Sequence, residues 1–423
     1  MSIGQSKPTS EPSSKPVLDA NGADQPSATP TAGNVGAAAA ATNNINTSTN
    51  AQNTMAGDTQ NQPRSNYPKD TDAFPVPIGV ARLVDEFSGG NPAYGSTSFR
   101  HWEFATTRQK KITQALLKAV ANGMESRDVN VDPKRSDLFA KDLLEKSPEF
   151  LLKRAPLTDW ASRKFEGRKT EAHPEGEGIT AFEYALWAKD FKMLEMMLGC
   201  IPATAEGDRI RAGLLEQYEQ VTAPICAGGG LTYELTYDRP TQDANGIPIK
   251  DAAGIWQTTP VTEVHAENHF DMTPLIDAYQ DYVDKFDTVG RSFPVRDACW
   301  IKIIGTLQRL LPIHILQRYC DPGTPFSPMP SFTGVFKRTT QFFSDLHGSK
   351  ESLLSSSLST DFSLFRGGLV SGAVRFARVC VSSLPGHELA VVRQVDAVST
   401  SEIETKIKQL LTVPAQSQTQ FRR

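Results

Sequence analysis

The sequence predicts a helix-dominated α+β fold that follows a disordered N-terminal arm. Between residues 106 and 220, apolar residues recur at helical spacing in most segments. Residues 228–264 change to the alternation typical of strands, with a turn signal at Asn245-Gly246. Residues 1–72 are mostly polar or small and contain no aromatic side chain before Tyr67. They therefore cannot bury enough apolar surface to offset the entropy lost on ordering.

These changes divide the chain into four regions. We expect a disordered low-complexity arm over residues 1–72 and a helical, ankyrin-like region over residues 73–222. An α+β region with a β insertion and a C-terminal helix follows over residues 223–412, and residues 413–423 form a flexible tail. The length of 423 residues and the hydrophobic content of 39% suffice for a sizeable core.

The helical region contains five segments with an apolar face. They are residues 106–124, 136–144, 148–153, 180–198 and 208–220. Between the third and the fourth, the sequence carries both charge signs and loses its apolar periodicity. We expect this stretch, residues 156–177, to be a projecting loop in which Trp160 and Phe165 are isolated anchors.

The α+β region begins with a small β insertion, with strands predicted at residues 231–237, 255–256 and 261–264. Helices are predicted at residues 272–286, where Pro274 fits the first turn, and at residues 296–311 before Pro312. Four prolines make residues 320–332 a surface loop.

The end of this region is predicted to alternate between strands and a helix. Strands are expected at residues 362–368, 373–381 and 389–395. The last helix is expected to begin at Ser401, because Glu404 lies three residues later and completes a capping box.

Charge and cysteine content exclude several classes of protein. The net charge of −4 and the pI of about 6.0 predict no nucleic-acid binding, which needs clustered Lys and Arg. The five cysteines are far apart and form no CxxC pair, as in proteins with reduced thiols. We expect no Sec-type signal and no membrane span, because the N-terminus lacks an apolar core and no apolar run is long enough.

The stretch GITAFEYALWAKDFKMLEMML, residues 178–198, partly matches the paired helices of an ankyrin repeat. Thr180 and Ala185 occupy the capping and small-residue positions, but Lys189 stands where the repeat has a glycine between its helices. Three readings stay open: one long buried helix, one degenerate repeat pair, and an array of repeats. A bend near Lys189 would distinguish a pair from a single helix.

Four longer sequence segments are also distinctive: TDWASRKFEGRKT, ITAFEYALWAKDFKM, NHFDMTPLIDAYQDYVDKFD and CWIKIIGTLQRLLPIHILQRYCDPGTPFSPMPSF. Together they resemble a family of Legionella-type effectors that the Dot/Icm type IV secretion system translocates. The resemblance covers residues 148–398. It implies delivery into a eukaryotic host cell and ankyrin-like surfaces that hold host proteins, and it brings no catalytic residues with it.

The first functional hypothesis is therefore a translocated effector that binds a host protein through the ankyrin-like surface. Trp160, Phe165 and Trp187 are the candidate partner-binding residues, because aromatic side chains dominate binding hot spots. Phe421, third from the end, is the candidate secretion-signal residue. Such a protein lies in the bacterial cytoplasm before export and contacts the secretion machinery. A further possibility is a scaffold whose contacts are made by the disordered arm.

The alternative hypothesis is an enzyme of the cysteine hydrolase or transferase type. Cys226 is the candidate nucleophile, because the three glycines after it can offer backbone N–H groups to an oxyanion. His269 would be its base and Asp271 the orienting carboxylate. The spacing of His265 and His269 makes them weak candidates for a metal. No glycine-rich phosphate loop occurs, so we expect no cofactor.

Overall fold

The computed structural model describes residues 92–130, 139–167, 176–286, 292–321, 337–339, 341–344, 349–352, 363–365, 375–376 and 385–412. The predicted arm at residues 1–72, the tail at residues 413–423 with Phe421, and residues 322–332 of the predicted proline-rich loop lie outside the described residues.

Helices form most of the described secondary structure, and two small sheets accompany them, which confirms the α+β class. The helices are α1 (Pro92–Ala121), α2 (Ala140–Leu144), α3 (Ala181–Trp187), α4 (Phe191–Gly199), α5 (Ala205–Thr222), α6 (Thr273–Phe286), α7 (Phe293–Cys299), α8 (Gly305–Arg309), α9 (Ile313–Cys320), α10 (Pro385–Glu402) and α11 (Lys408–Thr412). Short 3-10 helices lie at Pro148–Leu152 and Ile225–Ala227, and π-helical turns at Trp300–Ile304 and Ile403–Ile407.

The first sheet is antiparallel throughout, with the order β1-β2-β3-β4. Its strands are β1 (Leu157–Thr158), β2 (Arg163–Phe165), β3 (Leu231–Pro240) and β4 (Thr258–Glu267). The second sheet has the order β6-β5-β8-β7, with β5 and β8 parallel. Its strands are β5 (Gln341–Ser344), β6 (Ser349–Ser352), β7 (Leu364–Phe365) and β8 (Arg375–Phe376).

One contiguous hydrophobic core joins these elements. It runs from Leu116 in α1 through Trp187 in α3 and Leu214 in α5 to Tyr279 in α6 and Leu411 in α11. The described residues belong to one compact unit. This core contains side chains from both sides of residues 222 and 223, where the sequence suggests a boundary, so that boundary stays a prediction.

The hairpin predicted near residue 230 is present and longer than expected. β3 and β4 pair over ten residues each, and the tip between them contains the Asn245-Gly246 turn. Residues 255–256 form only an isolated bridge, between Lys250 and Trp256. Among the described helices, none combines the length and the apolar content that a membrane span requires.

The strand predicted at residues 389–395 is wrong, because these residues lie inside α10. Val391, Val392 and Val395 are all buried, and their spacing of one and three residues fits one face of a helix. A short apolar run is compatible with either element from its sequence alone. The helix continues without a break to Thr412, so Ser401 does not cap its start as predicted.

The prediction of a projecting loop at residues 156–177 is also wrong for the part of this range that the structure describes. β2 lies within it and pairs with β3, with Arg163 opposite Leu235. Arg163 and Phe165 are fully buried, and Lys164 between them faces solvent. The partner strand lies about 70 residues farther along the chain, and sequence periodicity carries no information about such a distant neighbour.

Candidate functional site

The segment 178–198 forms two helices rather than one. α3 ends in a Schellman motif, in which Lys189 N–H bonds to Leu186 O (3.1 Å) and Asp190 N–H to Ala185 O (3.0 Å). Lys189 has a φ of 60°, the left-handed conformation that usually belongs to glycine at this point. The bend near Lys189 therefore occurs, and the segment is a helical pair.

Capping residues explain where both helices begin. Thr180 Oγ1 accepts from Glu183 N–H (3.0 Å), and Glu183 Oε2 accepts from Thr180 N–H (2.9 Å), which makes a complete capping box for α3. Asp190 caps α4 by accepting from Met193 N–H (3.1 Å). The sequence TAFE thus fixes the first helix, and the KD pair ends it and starts the second.

The helical pair is packed into the core, and most of its side chains are buried. Every side chain of α3 is buried, and α4 exposes only the polar side that carries Glu195. Phe165 and Trp187 are each 0% exposed. Because these two side chains have no access to solvent, the prediction that they bind a partner is corrected: they are core residues.

Trp160, the third predicted partner-binding residue, is half-buried. Its indole Nε1–H donates to Leu311 O at 2.8 Å, which ties the β1–β2 turn to the segment before α9. A removal of residues 159–177 would therefore delete structural contacts of the core, and loss of binding in such a variant would not identify a binding loop.

Arg163 lies in an aromatic enclosure between the helical pair and the hairpin. Its guanidinium carbon lies 5.0 Å from the ring centre of Trp187, 5.9 Å from Tyr233 and 5.3 Å from Phe270. Asp159 supplies the counter-charge, with 2.9 Å between Arg163 Nε and Asp159 Oδ2. Burial opposes the charge, but Asp159, Tyr184 and Tyr233 outweigh it and raise the pKa of Arg163. The enclosure is occupied by the protein's own cation, so it is a structural feature.

A second buried charge cluster surrounds Arg338. Its guanidinium donates to both oxygens of Asp190 (2.7 and 2.9 Å), to Glu125 Oε2 (2.5 Å) and to Gln317 Oε1 (3.3 Å). The side chains of Arg338 and Asp190 are 1% and 6% exposed. Burial alone would raise the pKa of Asp190, but Arg338 outweighs this effect and, with His314, holds that pKa well below its usual range.

His314 in α9 completes the cluster as a buried neutral imidazole. Its Nε2 has no hydrogen-bond partner among the described residues. Burial lowers the pKa of His314 to about 3, and the attraction of Asp190 only partly opposes this shift. Neither cluster was predicted, because Asp159, Arg163, Asp190 and Arg338 look like ordinary surface charges in the sequence.

The predicted cysteine site lacks the geometry of a catalytic centre. Cys226 is exposed in the 3-10 turn, but the glycine N–H groups after it are already used. Gly228 donates to Ile225 O, Gly229 to Pro224 O and Gly230 to Val221 O, at 2.9 to 3.1 Å. An oxyanion would have to displace these bonds, so the expected oxyanion site is not preformed.

The two other members of the predicted site are engaged elsewhere. His269 Nδ1 lies 3.3 Å from Leu186 O, and burial lowers its pKa. Asp271 Oδ1 accepts from Thr273 N–H at 2.8 Å, which makes a turn before α6 and orients no imidazole. No hydrogen bond among the described residues joins Cys226, His269 and Asp271.

The two histidines that were predicted as metal ligands, His265 and His269, also lie in different surroundings. His265 lies on β4, stacked on Tyr233 with 5.2 Å between ring centres and flanked by Glu263 and Glu267 at 3.4 and 3.6 Å. His269 lies beyond the strand, so no helical turn places the two imidazoles side by side. Across the described ranges, no group of three or more His, Cys, Asp or Glu side chains is placed to hold a metal.

We call the hairpin of β3 and β4, residues 231–267, the hairpin arm; Leu231, Tyr233 and Leu235 at its base are buried, whereas most of its tip is exposed. Its tip, residues 241–257, contains two similar turns, at DANGI and DAAGI. In each, the aspartate Oδ1 accepts two backbone N–H groups at 2.8 to 2.9 Å: Asp243 from Asn245 and Ile247, and Asp251 from Ala253 and Ile255. These turns make the tip an ordered structure.

The exposed apolar side chains are concentrated in and beside this arm. Ile255 at the tip is 66% exposed, Val264 on β4 is 73% exposed, and Ile225 just before the arm is 39% exposed. Among the described residues, these are the large hydrophobic side chains that remain exposed. The sequence does not predict this exposure. The alternation in LTYELTY predicts that one face of the strand is buried, but it does not show whether the other face is covered.

The fold and its buried charges define a helix-dominated α+β protein in which Cys226, His269 and Asp271 are not brought together. Residues 274–410 match the CBUA0006 C-terminal domain. The chain is also homologous to an uncharacterized protein, CBUA0006, of Coxiella burnetii: the two are 27% identical over 340 residues, which cover 77% of this chain and 84% of that protein. No solved structure matches the chain.

Proposed function

We propose that this protein is a translocated bacterial effector that acts by binding a host protein. The observation that carries the binding proposal is Ile255, which is 66% exposed at the ordered tip of the hairpin arm. Ile255 is one of three large apolar side chains that are exposed among the described residues, and an aliphatic side chain can anchor an interface by filling a pocket of the partner. The binding surface is thus moved from the helical pair to the hairpin arm.

The tip of the arm is the part that we assign to the host protein. Ile255 is held by the turn at Asp251, so little conformational entropy remains to be lost when it enters an apolar recess of a partner. Trp256 beside it lies 4.4 Å from Lys250 Nζ and 5.5 Å from Lys302 Nζ, which anchors the tip against the helices. An ordered tip that carries an exposed apolar side chain supports binding by shape complementarity.

The export part of the proposal is supported by the relative and by the resemblance of this chain to Dot/Icm effectors. Coxiella burnetii bears a Dot/Icm system, and the distinctive segments of this chain resemble Dot/Icm effectors. A reporter enzyme fused to the N-terminus should reach the host cytosol from bacteria with a functional Dot/Icm system. Delivery should fail when the system is inactivated and fall when residues 413–423 are removed. Equal delivery by the full-length and shortened proteins would refute the signal assigned to Phe421.

Host binding is tested by a substitution at the tip. Proximity labelling in host cells should identify proteins enriched by the native chain, and Ile255→Asp should reduce that enrichment at least several-fold. Ala203→Asp, at an exposed position between α4 and α5, adds the same charge outside the arm and should leave it unchanged. Unchanged thermal unfolding of both variants is the folding control. If Ile255→Asp retains full enrichment, the tip is not the binding surface.

A further inference from the structure

The outer edge of the hairpin arm is open to a further strand. β4 is the last strand of its sheet, and within the described part of the chain its one neighbouring strand is β3. Every residue from Thr258 to Glu267 is exposed or half-buried. Such an edge presents backbone N–H and C=O groups that another chain can pair with.

Protection of this edge by proline is confined to the end near the tip. Pro260 has no N–H and interrupts pairing there, as prolines on edge strands commonly do. From Val261 to Glu267 there is no proline and no lysine, and Val264 in the middle is the most exposed large hydrophobic residue of the described chain. Residues 261–267, the half of β4 that is farther from the tip, are therefore available for pairing.

The two faces of β4 differ in chemistry. Because His265 lies opposite Tyr233, whose ring is buried, Glu263, His265 and Glu267 share the face toward the body of the protein. Thr262, Val264 and Ala266 occupy the opposite face and carry no charge. Any strand added to β4 has to match both patterns at once.

We propose that β4 pairs antiparallel with β4 of a second copy of this chain, with a two-fold axis at Val264. Each Val264 then lies opposite its copy, and each Glu263 lies opposite the partner's His265. Residues that are directly opposite on an antiparallel pair have Cβ atoms about 4.5–5.5 Å apart, close enough for a carboxylate and an imidazole to form a hydrogen bond. The two sheets become one continuous sheet in a symmetric dimer.

The charge pattern selects this register over its neighbours. A two-fold axis at Glu263 places that residue opposite its own copy, and an axis at His265 places Glu263 opposite the partner's Glu267. Like charges directly opposite are destabilising. An axis at Thr262 sets Val264 against the partner's Pro260, which has no N–H to donate. The register centred on Val264 thus buries the exposed valine and places Glu263 opposite His265. It also keeps Pro260 at the end of the paired segment.

This contact is separate from the proposed host binding, because it uses the edge of β4 and leaves Ile255 at the tip free. Each proposal can therefore fail without the other. Dimerisation is measured on the purified chain alone, whereas host binding requires host cells.

The first test is the mass of the full-length protein in solution, measured by analytical ultracentrifugation over a range of concentrations. We expect a dimer that becomes a monomer, with half the mass, when Val264→Lys places two ammonium groups on the two-fold axis. Thr232→Lys is the matched control, because Thr232 is exposed on the same face but lies on β3, away from the edge. A native protein that is monomeric up to its solubility limit overturns the proposal.

The second test measures the register and does not depend on a destabilising charge. In a Cys226→Ser background, Val264→Cys should give a disulfide-linked dimer under mild oxidation, identified as a 264–264 peptide. Thr262→Cys should not link to itself, because it lies opposite the partner's Ala266. A dimer that shows no 264–264 linkage, or that links equally well through position 262, contradicts the register and overturns the proposal.

Discussion

The Asp190 carboxylate accepts hydrogen bonds from two residues at once. Its carboxylate caps α4 through Met193 N–H, and both of its oxygens accept from Arg338. A buried ion pair of this kind adds little net stability, but removal of one partner leaves an uncompensated charge and costs about 3–5 kcal/mol. Arg338 thereby holds the turn between α3 and α4 against α9, which contributes Gln317.

His314 makes the stability of the protein depend on pH. The unfolded chain binds a proton at this histidine below pH of about 6.5, whereas the folded protein, with its pKa lowered to about 3, does not. Between these pH values the unfolded state binds more protons, so the unfolding free energy falls as the pH falls. One such group contributes a slope of up to about 1.4 kcal/mol per pH unit.

We therefore expect His314→Gln to flatten this dependence. Urea unfolding at a series of pH values between 7 and 4 should show a smaller loss of unfolding free energy for the variant than for the native protein. His387→Gln is the control, because His387 is exposed at the start of α10 and should leave the slope unchanged. Parallel slopes for all three proteins would contradict a neutral buried His314.

At the scale of elements, the start of α3 is set by side-chain capping. Thr180 is fully buried, completes the capping box with Glu183, and donates from Oγ1 to Gln217 Oε1 at 2.7 Å. Thr204 caps α5 in the same way but is exposed, and its bond from Gly207 N–H is longer, at 3.3 Å. The two threonines form a natural comparison of a buried and an exposed cap.

Thr180→Ala should destabilise the protein by about 1–2 kcal/mol, because both a cap and a buried acceptor lose their partner. Thr204→Ala should cost roughly 0.5–1 kcal/mol, since water replaces the lost bond. Denaturant unfolding at pH 7 measures both values. A cost for Thr204→Ala equal to or above that of Thr180→Ala would show that burial does not amplify the cap.

At the scale of the whole molecule, the C-terminal helices complete a core that begins near residue 116. α10 packs on α6, and α11 packs on α5, which lies outside the stretch that matches the CBUA0006 C-terminal domain. Among the buried apolar side chains of this C-terminal segment, five are at most 2% exposed: Val391, Val392, Val395, Ile403 and Ile407. Each contributes about 1.5–3 kcal/mol by burial, so their sum is comparable to the stability of a whole domain.

A chain that ends at Leu384 should therefore lose its cooperative thermal unfolding, whereas one that ends at Thr412 should keep the transition temperature of the full chain. Differential scanning calorimetry distinguishes the two. The same comparison shows how many C-terminal residues can be removed in a translocation assay without unfolding the protein. A cooperative transition in the protein that ends at Leu384 would show that α10 and α11 are dispensable for the core.

Local signals were sufficient for much of the fold. The capping residues around Thr180 and Lys189, the alternation in LTYELTY and the periodicity of residues 272–286 depend only on near neighbours, and the corresponding elements are present. The apolar run LAVVRQV was misassigned, because its length and composition fit either a strand or a buried helix. Residues 156–167 were misassigned, because their pairing partner is distant in the chain.

The sequence by itself determined the class of the fold, the positions of most helices and the hairpin, since these follow from short-range sterics and hydrogen bonding. Only the tertiary structure decided which charged and aromatic side chains are buried. Arg163 and Arg338 are charges whose counter-ions come from packing, and Trp187 is enclosed by rings from two strands and from the loop before α6. Burial is a property of the assembled core, so it decided against the helical pair as a binding surface and left the hairpin arm exposed.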